Sequence, residues 1–181
     1  NVPGATVELR ERKTDGTTSL VPHSNKTDTT VIYNLKRGSY FYTCSAPNYM
    51  SRTEPLTIDV NTDSELEIQI SLTPFISVSK VSLSASQVMK SKNYNLDKLT
   101  VIEPANATRK SVTSWELKES YEGVTLNANV LSIDANCALE QIVLTATVAN
   151  GKLSEDGTSQ EAFVQENINL SIIPYVPTIS F

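Results

Sequence analysis

Residues 65–72 read Glu-Leu-Glu-Ile-Gln-Ile-Ser-Leu. In an extended chain Leu66, Ile68, Ile70 and Leu72 fall on one face and Glu65, Glu67, Gln69 and Ser71 on the other. A helix with one apolar stripe cannot be made from that spacing. The same alternation returns at 56–60 (Leu-Thr-Ile-Asp-Val), at 144–148 (Leu-Thr-Ala-Thr-Val) and at 168–172 (Ile-Asn-Leu-Ser-Ile). A period of two that recurs along the chain predicts strands with one buried and one wet face, hence an all-β protein. No segment carries a convincing period of 3.6, although Leu83 to Asn93 has room for a short helical turn.

Turn signals punctuate these strands at short intervals. They include Asp15-Gly16, Arg37-Gly38, Pro47-Asn48, Asn61 to Ser64, Glu122-Gly123, Asn150-Gly151 and Asp156-Gly157. Regularly spaced short strands point to a sandwich or barrel. Strands are expected at about 5–11, 29–35, 39–46, 54–60 and 65–72, then at 77–84, 98–103, 111–118, 123–126, 130–133, 140–149 and 162–173. Small all-β modules run to roughly 100 residues, so 181 residues suit two of them. The expected fold is two tandem Ig-like antiparallel β-sandwiches, 1–74 and 75–174, with 175–181 starting a further linker. The seam falls at Thr73-Pro74-Phe75-Ile76, where proline removes a ladder donor and biases the preceding residue to extended geometry. So short a connection is expected to stiffen the pair, with Phe75 at the junction.

The balance of 15 Lys and Arg against 20 Asp and Glu gives a net charge of −5. Nucleic acid is disfavoured as a partner, because phosphate binding needs a basic patch that releases counterions. No run of about 18 apolar residues is present to cross a bilayer as a helix, and the amino-terminal residues lack a signal-peptide pattern. The chain reads as a piece of a longer polypeptide. Its two cysteines, Cys44 and Cys137, lie in different expected domains and are expected to be free thiols. Cysteine-poor exported proteins are commoner in bacteria than in animals.

In residues 3–73, Pro3-Gly4-Ala5-Thr6-Val7-Glu8-Leu9, then Asp15-Gly16-Thr17, then Tyr33-Asn34-Leu35-Lys36-Arg37-Gly38-Ser39-Tyr40, then Ser45-Ala46-Pro47-Asn48-Tyr49 follow one another. This succession resembles the carboxypeptidase regulatory-like and PEGA-type domains. The resemblance implies a seven-stranded Ig-like or transthyretin-like sandwich. The strand that usually precedes the glycine-alanine phrase has no counterpart, so either the sequence starts within the domain or that edge is open. The first domain also looks similar to collagen-adhesin B-type repeats, some of which carry a Lys–Asn isopeptide crosslink. Glu8 and Arg10 stand where such a lysine would lie, and Cys44 near the place of the assisting acid, so no crosslink is expected.

Residues 77–173 are similar to bacterial Ig-like domains of group 2. The carrying residues are Pro104 to Thr108, Val112-Thr113-Ser114-Trp115-Glu116, Gly123-Val124-Thr125-Leu126, Val130-Leu131-Ser132-Ile133-Asp134 and Leu144 to Gly151. The two resemblances imply a non-catalytic structural or adhesive module pair of a bacterial cell-surface or secreted multidomain protein. Such a pair acts as a spacer or in contact with protein or glycan, and lies outside the cell. Readings from other classes are a carbohydrate-binding accessory module of a secreted glycoside hydrolase and a phage tail decoration module.

Reactive chemistry finds little footing. His23 is the only histidine, with no cysteine or second histidine near it for zinc or a triad. No Gly-x-Ser-x-Gly phrase is present, and an enzyme is not expected. The acids Asp59, Asp63, Glu65 and Glu67, and Glu155-Asp156, lack the spacing that makes a calcium loop converge, so they read as solvated strand edges. No metal or cofactor is expected. The aromatics carry the interface candidates: Trp115, Tyr33, Tyr40 and Tyr42 belong inside, which turns Phe41 outward as a contact residue. Phe75, Tyr49, Tyr121 and Tyr175 are the further candidates, the three tyrosines as ring platforms. The expected partners are neighbouring domains of the same polypeptide and a host protein or glycan.

Overall fold

Alternation becomes sheet in nearly every place where it has a core to face. The computed structural model describes residues 2–27, 29–59 and 65–175, and it is all-β apart from one helical turn. The chain divides into two compact units, residues 1–75 with 155–158 and residues 76–154 with 159–181.

In the first unit the strands are β1 (Thr6–Arg12), β2 (Thr18–Leu20), β3 (Asn25–Lys26), β4 (Val31–Ile32), β5 (Gly38–Ser45) and β6 (Arg52–Ile58). An antiparallel sheet runs in the order β2-β1-β5-β6, and β3 pairs with β4 separately. The β1–β2 hairpin closes at Asp15-Gly16. There the Asp15 carboxylate accepts from the Thr17 N–H at 2.9 Å and hydroxyl at 2.6 Å, while Gly16 takes φ +84°. These two bonds hold the Asp15 carboxyl below its ordinary range.

Register sorts the side chains of this sheet. Leu9 lies opposite Tyr42, Val7 opposite Cys44 and Tyr40 opposite Leu56, so all six share the inner face. Leu9, Tyr40 and Cys44 are buried there, with Ala46 and Phe75 also buried in the unit. The outer face carries hydroxyl pairs, Thr6 with Ser45 at 3.0 Å and Thr43 with Thr53 at 2.9 Å. Such cross-strand pairs each add a few tenths to about 1 kcal/mol.

The second unit contains β7 (Lys80–Leu83), β8 (Gln87–Met89), β9 (Lys92–Asn95), α1 (Leu96–Leu99), β10 (Thr100–Glu103), β11 (Ser114–Leu117), β12 (Val124–Asn127), β13 (Val130–Ile133), β14 (Gln141–Leu153) and β15 (Gln160–Ile173). Its sheets run β11-β14-β15-β8, β12-β13-β9 and β10-β7, antiparallel except where β15 and β8 run parallel. β14 states the principle most clearly: Ile142, Leu144, Ala146 and Val148 are buried while Thr145 and Thr147 between them are not. These four join Val81, Val88, Leu96, Trp115, Leu131 and Leu170 in one core of sandwich type.

Four expectations need correction. Residues 65–72 form no strand, and Leu66 and Ile68 are 65% and 40% exposed. The reason lies in the adjacent edge, β6. The Tyr49–Pro74 bridge, bonded through Met50 N–H to Thr73 O at 2.8 Å and Phe75 N–H to Asn48 O at 2.9 Å, fixes an antiparallel register. Carried along β6, that register sets Glu67 opposite Leu56 and Glu65 opposite Ile58, acid against the inner face. β6 also carries Pro55, a residue that edge strands tolerate because no further neighbour needs its donor.

The strand expected at 29–35 shrinks to Val31–Ile32 in β4, and Tyr33 leaves the ladder to bond β1 with its hydroxyl. Between Leu83 and Asn93 stand β8 and the start of β9 in place of a helical turn. The turn of helix lies later, at Leu96–Leu99, capped by the Asn95 side chain accepting from Lys98 N–H at 3.2 Å. Finally, the strand expected at 54–60 is β6, shifted to 52–58. Val60, the Asn61 to Ser64 turn and Val176 to Phe181 lie outside the described residues. Among the described residues no helix is long and apolar enough to cross a membrane.

Candidate functional site

A cleft of about 300 Å³ opens in the first unit, where β2 stops short of the start of β1. β2 pairs with β1 only from Arg10 to Arg12; Val21 N–H still bonds Leu9 O at 2.9 Å, and the chain leaves β1 beyond it, at Pro22 and His23. Tyr33 fills part of the gap, its hydroxyl donating to Val7 O at 3.0 Å. Burial pushes the Tyr33 phenol above its usual range, and the nearby Glu8 charge adds to the shift.

Glu8, His23 and Lys26 also line this cleft, so one carboxylate, one imidazole and one ammonium share it. Glu8 is already engaged by Arg10, whose Nε donates to Oε1 at 2.6 Å on the exposed side of β1. The acid is thereby held by a guanidinium rather than aimed at the imidazole as a base would be. Sequence reading treated Glu8 and His23 separately. Their shared cleft follows from the divergence of the chain after Val21, which Pro22 announces because it has no N–H to continue the ladder.

A second cleft, of about 540 Å³, lies in the second unit between β7 and β15. β8 covers β15 only from Ser171 to Ile173. Across the gap, Val81 N–H donates to Gln165 Oε1 at 3.3 Å, a side chain standing in for a strand. Ser79, Ser82, Asn167 and Asn169 give this cleft a hydroxyl and amide lining.

The aromatic candidates are dispersed. Phe41 sits on the outer face of the first sheet between Arg10 and Pro55, half-buried, with the Arg12 guanidinium 5.9 Å from its ring centroid. Tyr49 is half-buried beside Pro74, and Phe75 is buried. Tyr121 is half-buried against the core of the second unit, its hydroxyl accepting from Val143 N–H at 3.1 Å. Tyr175 is 51% exposed, with Lys92 Nζ 5.7 Å from its ring centroid. Tyr40 is buried and donates to Lys36 O at 2.9 Å, and Tyr42 is half-buried on the same face.

Trp115 is buried in the core of the second unit, and its Nε1 donates to Asp97 Oδ1 at 3.2 Å. The other oxygen of Asp97 accepts from Asn129 Nδ2 at 2.5 Å. One carboxylate therefore ties α1 to β11 and to the β12–β13 turn. Sequence reading missed this link, since the three residues share no local motif.

Both cysteines are buried and free. Burial pushes the Cys44 thiol up, which disfavours the reactive thiolate. Among the described residues, no group of three or more His, Cys, Asp or Glu side chains is placed to hold a metal ion. Asp59, Glu65 and Glu67 are exposed, and Asp156 spends its carboxylate on Thr158 N–H and hydroxyl at 3.0 and 2.8 Å; Asp63 lies outside the described residues. Comparison with family models and with curated proteins finds no match to this chain.

Proposed function

We propose that this chain is a pair of non-catalytic Ig-like modules from a bacterial cell-surface or secreted multidomain protein. Its work is to space or present neighbouring domains, and its resemblance is to carboxypeptidase regulatory-like and group 2 bacterial Ig-like domains. The observation that carries the reading is the division of labour between faces. Each unit buries an apolar core on one side of its main sheet, and hydroxyls brace the other side, Thr43 with Thr53 in the first unit and Thr113 donating to the Thr147 carbonyl at 2.9 Å in the second. Mostly antiparallel ladders backed by packed apolar side chains resist deformation without any moving part.

A glycan-array assay on the intact chain tests this against the sugar-binding alternative. The spacer reading expects no micromolar signal. Clear binding that is lost in Tyr175→Ala, the exposed ring, replaces the spacer reading with a carbohydrate-binding module.

A further inference from the structure

The strongest strand pattern in the sequence has no strand partner among the described residues. Residues 65–72 keep a strict alternation, yet Leu66 is 65% and Ile68 40% exposed, while Ile70 and Leu72 are half-buried. The neighbouring edge within the same unit cannot use them, because the register set at Tyr49–Pro74 turns their acids onto the inner face of β6.

The segment does match itself. Laid antiparallel with Gln69 opposite Gln69, two copies place Leu66 against Leu72 and Ile68 against Ile70, twice over. Glu67 then faces Ser71, and Glu65 faces Thr73. All eight apolar side chains of the pair meet apolar partners, and no acid opposes an acid. Shifting the register by one residue toward either end sets every apolar side chain against Glu, Gln, Ser or Thr, and shifting by two toward the amino terminus leaves each Leu72 opposite Ser64.

We propose that residues 65–72 are a docking strand for a second copy of this chain, forming a two-stranded antiparallel ribbon about a two-fold axis at Gln69. The interface is isologous, so it closes at two copies. Backbone ladder bonds supply the attraction and the alternating side chains supply the register, as in other strand-addition interfaces. A two-stranded ribbon is only marginally stable by itself, so the pair is weak and concentration-dependent.

Light scattering behind size exclusion, from low to high micromolar loading, should show the mass rising from 19.8 kDa toward twice that value. Ile68→Lys should hold the mass at that of one chain at every loading, with Cys44, buried in the same unit, still shielded from a thiol reagent as the check that this unit is folded. Register is read by oxidation of single variants. Gln69→Cys brings two thiols opposite each other across the axis, within disulfide reach, and should yield a covalent dimer. Ser71→Cys leaves its two thiols four residues apart along the ribbon, roughly 13 Å, and should yield none; native Cys44 and Cys137 are buried. A mass that never rises, a dimer that survives Ile68→Lys, or equal crosslinking at 69 and 71 would each overturn the proposal.

Discussion

Asp97 illustrates how a single exposed carboxylate fixes parts of the fold that lie far apart in sequence. It sits in the first turn of α1, where negative charge is favourable. From there it accepts from the Trp115 indole and the Asn129 amide. The indole body is buried, so its N–H has little access to water if the acceptor is removed. Hydrogen bonds to a charged group contribute about 1.5–3 kcal/mol, and an orphaned buried donor costs about as much. Asp97→Ala is therefore expected to lower stability by about 1–3 kcal/mol in chemical denaturation followed by Trp115 fluorescence. Asp97→Asn keeps an acceptor for the indole and should lose less than half of that. Equal losses in the two variants would mean that the carboxylate acts through its charge on α1 rather than through the indole bond.

At the scale of elements, β14 and β15 show what a long hairpin requires of its irregular positions. Their register slips between Val148 and Lys152, and Gly151 lies buried in that slip with its carbonyl accepting from Val78 N–H at 2.7 Å. A methyl group at 151 would come within 2.8 Å of Val148 O and 2.9 Å of Phe163 Cβ, closer than packed atoms allow. Backbone on one side and a core side chain on the other leave nothing to give way cheaply. Gly151→Ala is expected to cost about 1–3 kcal/mol, the usual range for overpacking, read as a shift in the thermal midpoint. Asn150, one residue earlier, holds φ +53°, which Asn tolerates better than most residues. The Asn-Gly pair at 150–151 was legible as punctuation; that it forms a bulge inside one continuous strand was not, because the partner strand sets the slip. The same distinction separates β14 from residues 65–72, which form no strand. β14 alternates against a core that its neighbours supply, whereas 65–72 alternates just as strictly beside an edge whose register puts its acids inward. β8 was hidden for a related reason: Val88 is fully buried through a parallel pairing with β15, more than 80 residues away in sequence, and no local pattern announces such a partner. The candidate surfaces followed suit, for the parity of Phe41 could be read from Tyr40 and Tyr42, while the cleft of Glu8, His23 and Lys26 depends on where β2 ends.

For the whole molecule, the two units differ most in how much they bury. Among the described residues the second unit collects sixteen buried side chains into one cluster, whereas the first unit buries Leu9, Tyr40, Cys44, Ala46 and Phe75. Burial of an aliphatic or aromatic side chain contributes about 1.5–3 kcal/mol, so the first unit has far less to set against its chain entropy. It should unfold first. The chain carries its own reporters for the order of events, since Cys44 lies in the first unit, and Cys137 and Trp115 in the second. Both thiols are shielded in the fold, and burial holds Cys44 in its protonated, unreactive form. Titration with urea in the presence of a chromogenic disulfide should therefore release one thiol at a low denaturant midpoint. The second thiol should follow at a higher midpoint, together with the red shift of Trp115 emission. The slope of the first transition should be the smaller of the two, because denaturant sensitivity scales with the surface newly exposed. If both thiols and the tryptophan instead report one shared midpoint, the two units unfold as a single cooperative block, and the difference in their cores has no thermodynamic expression.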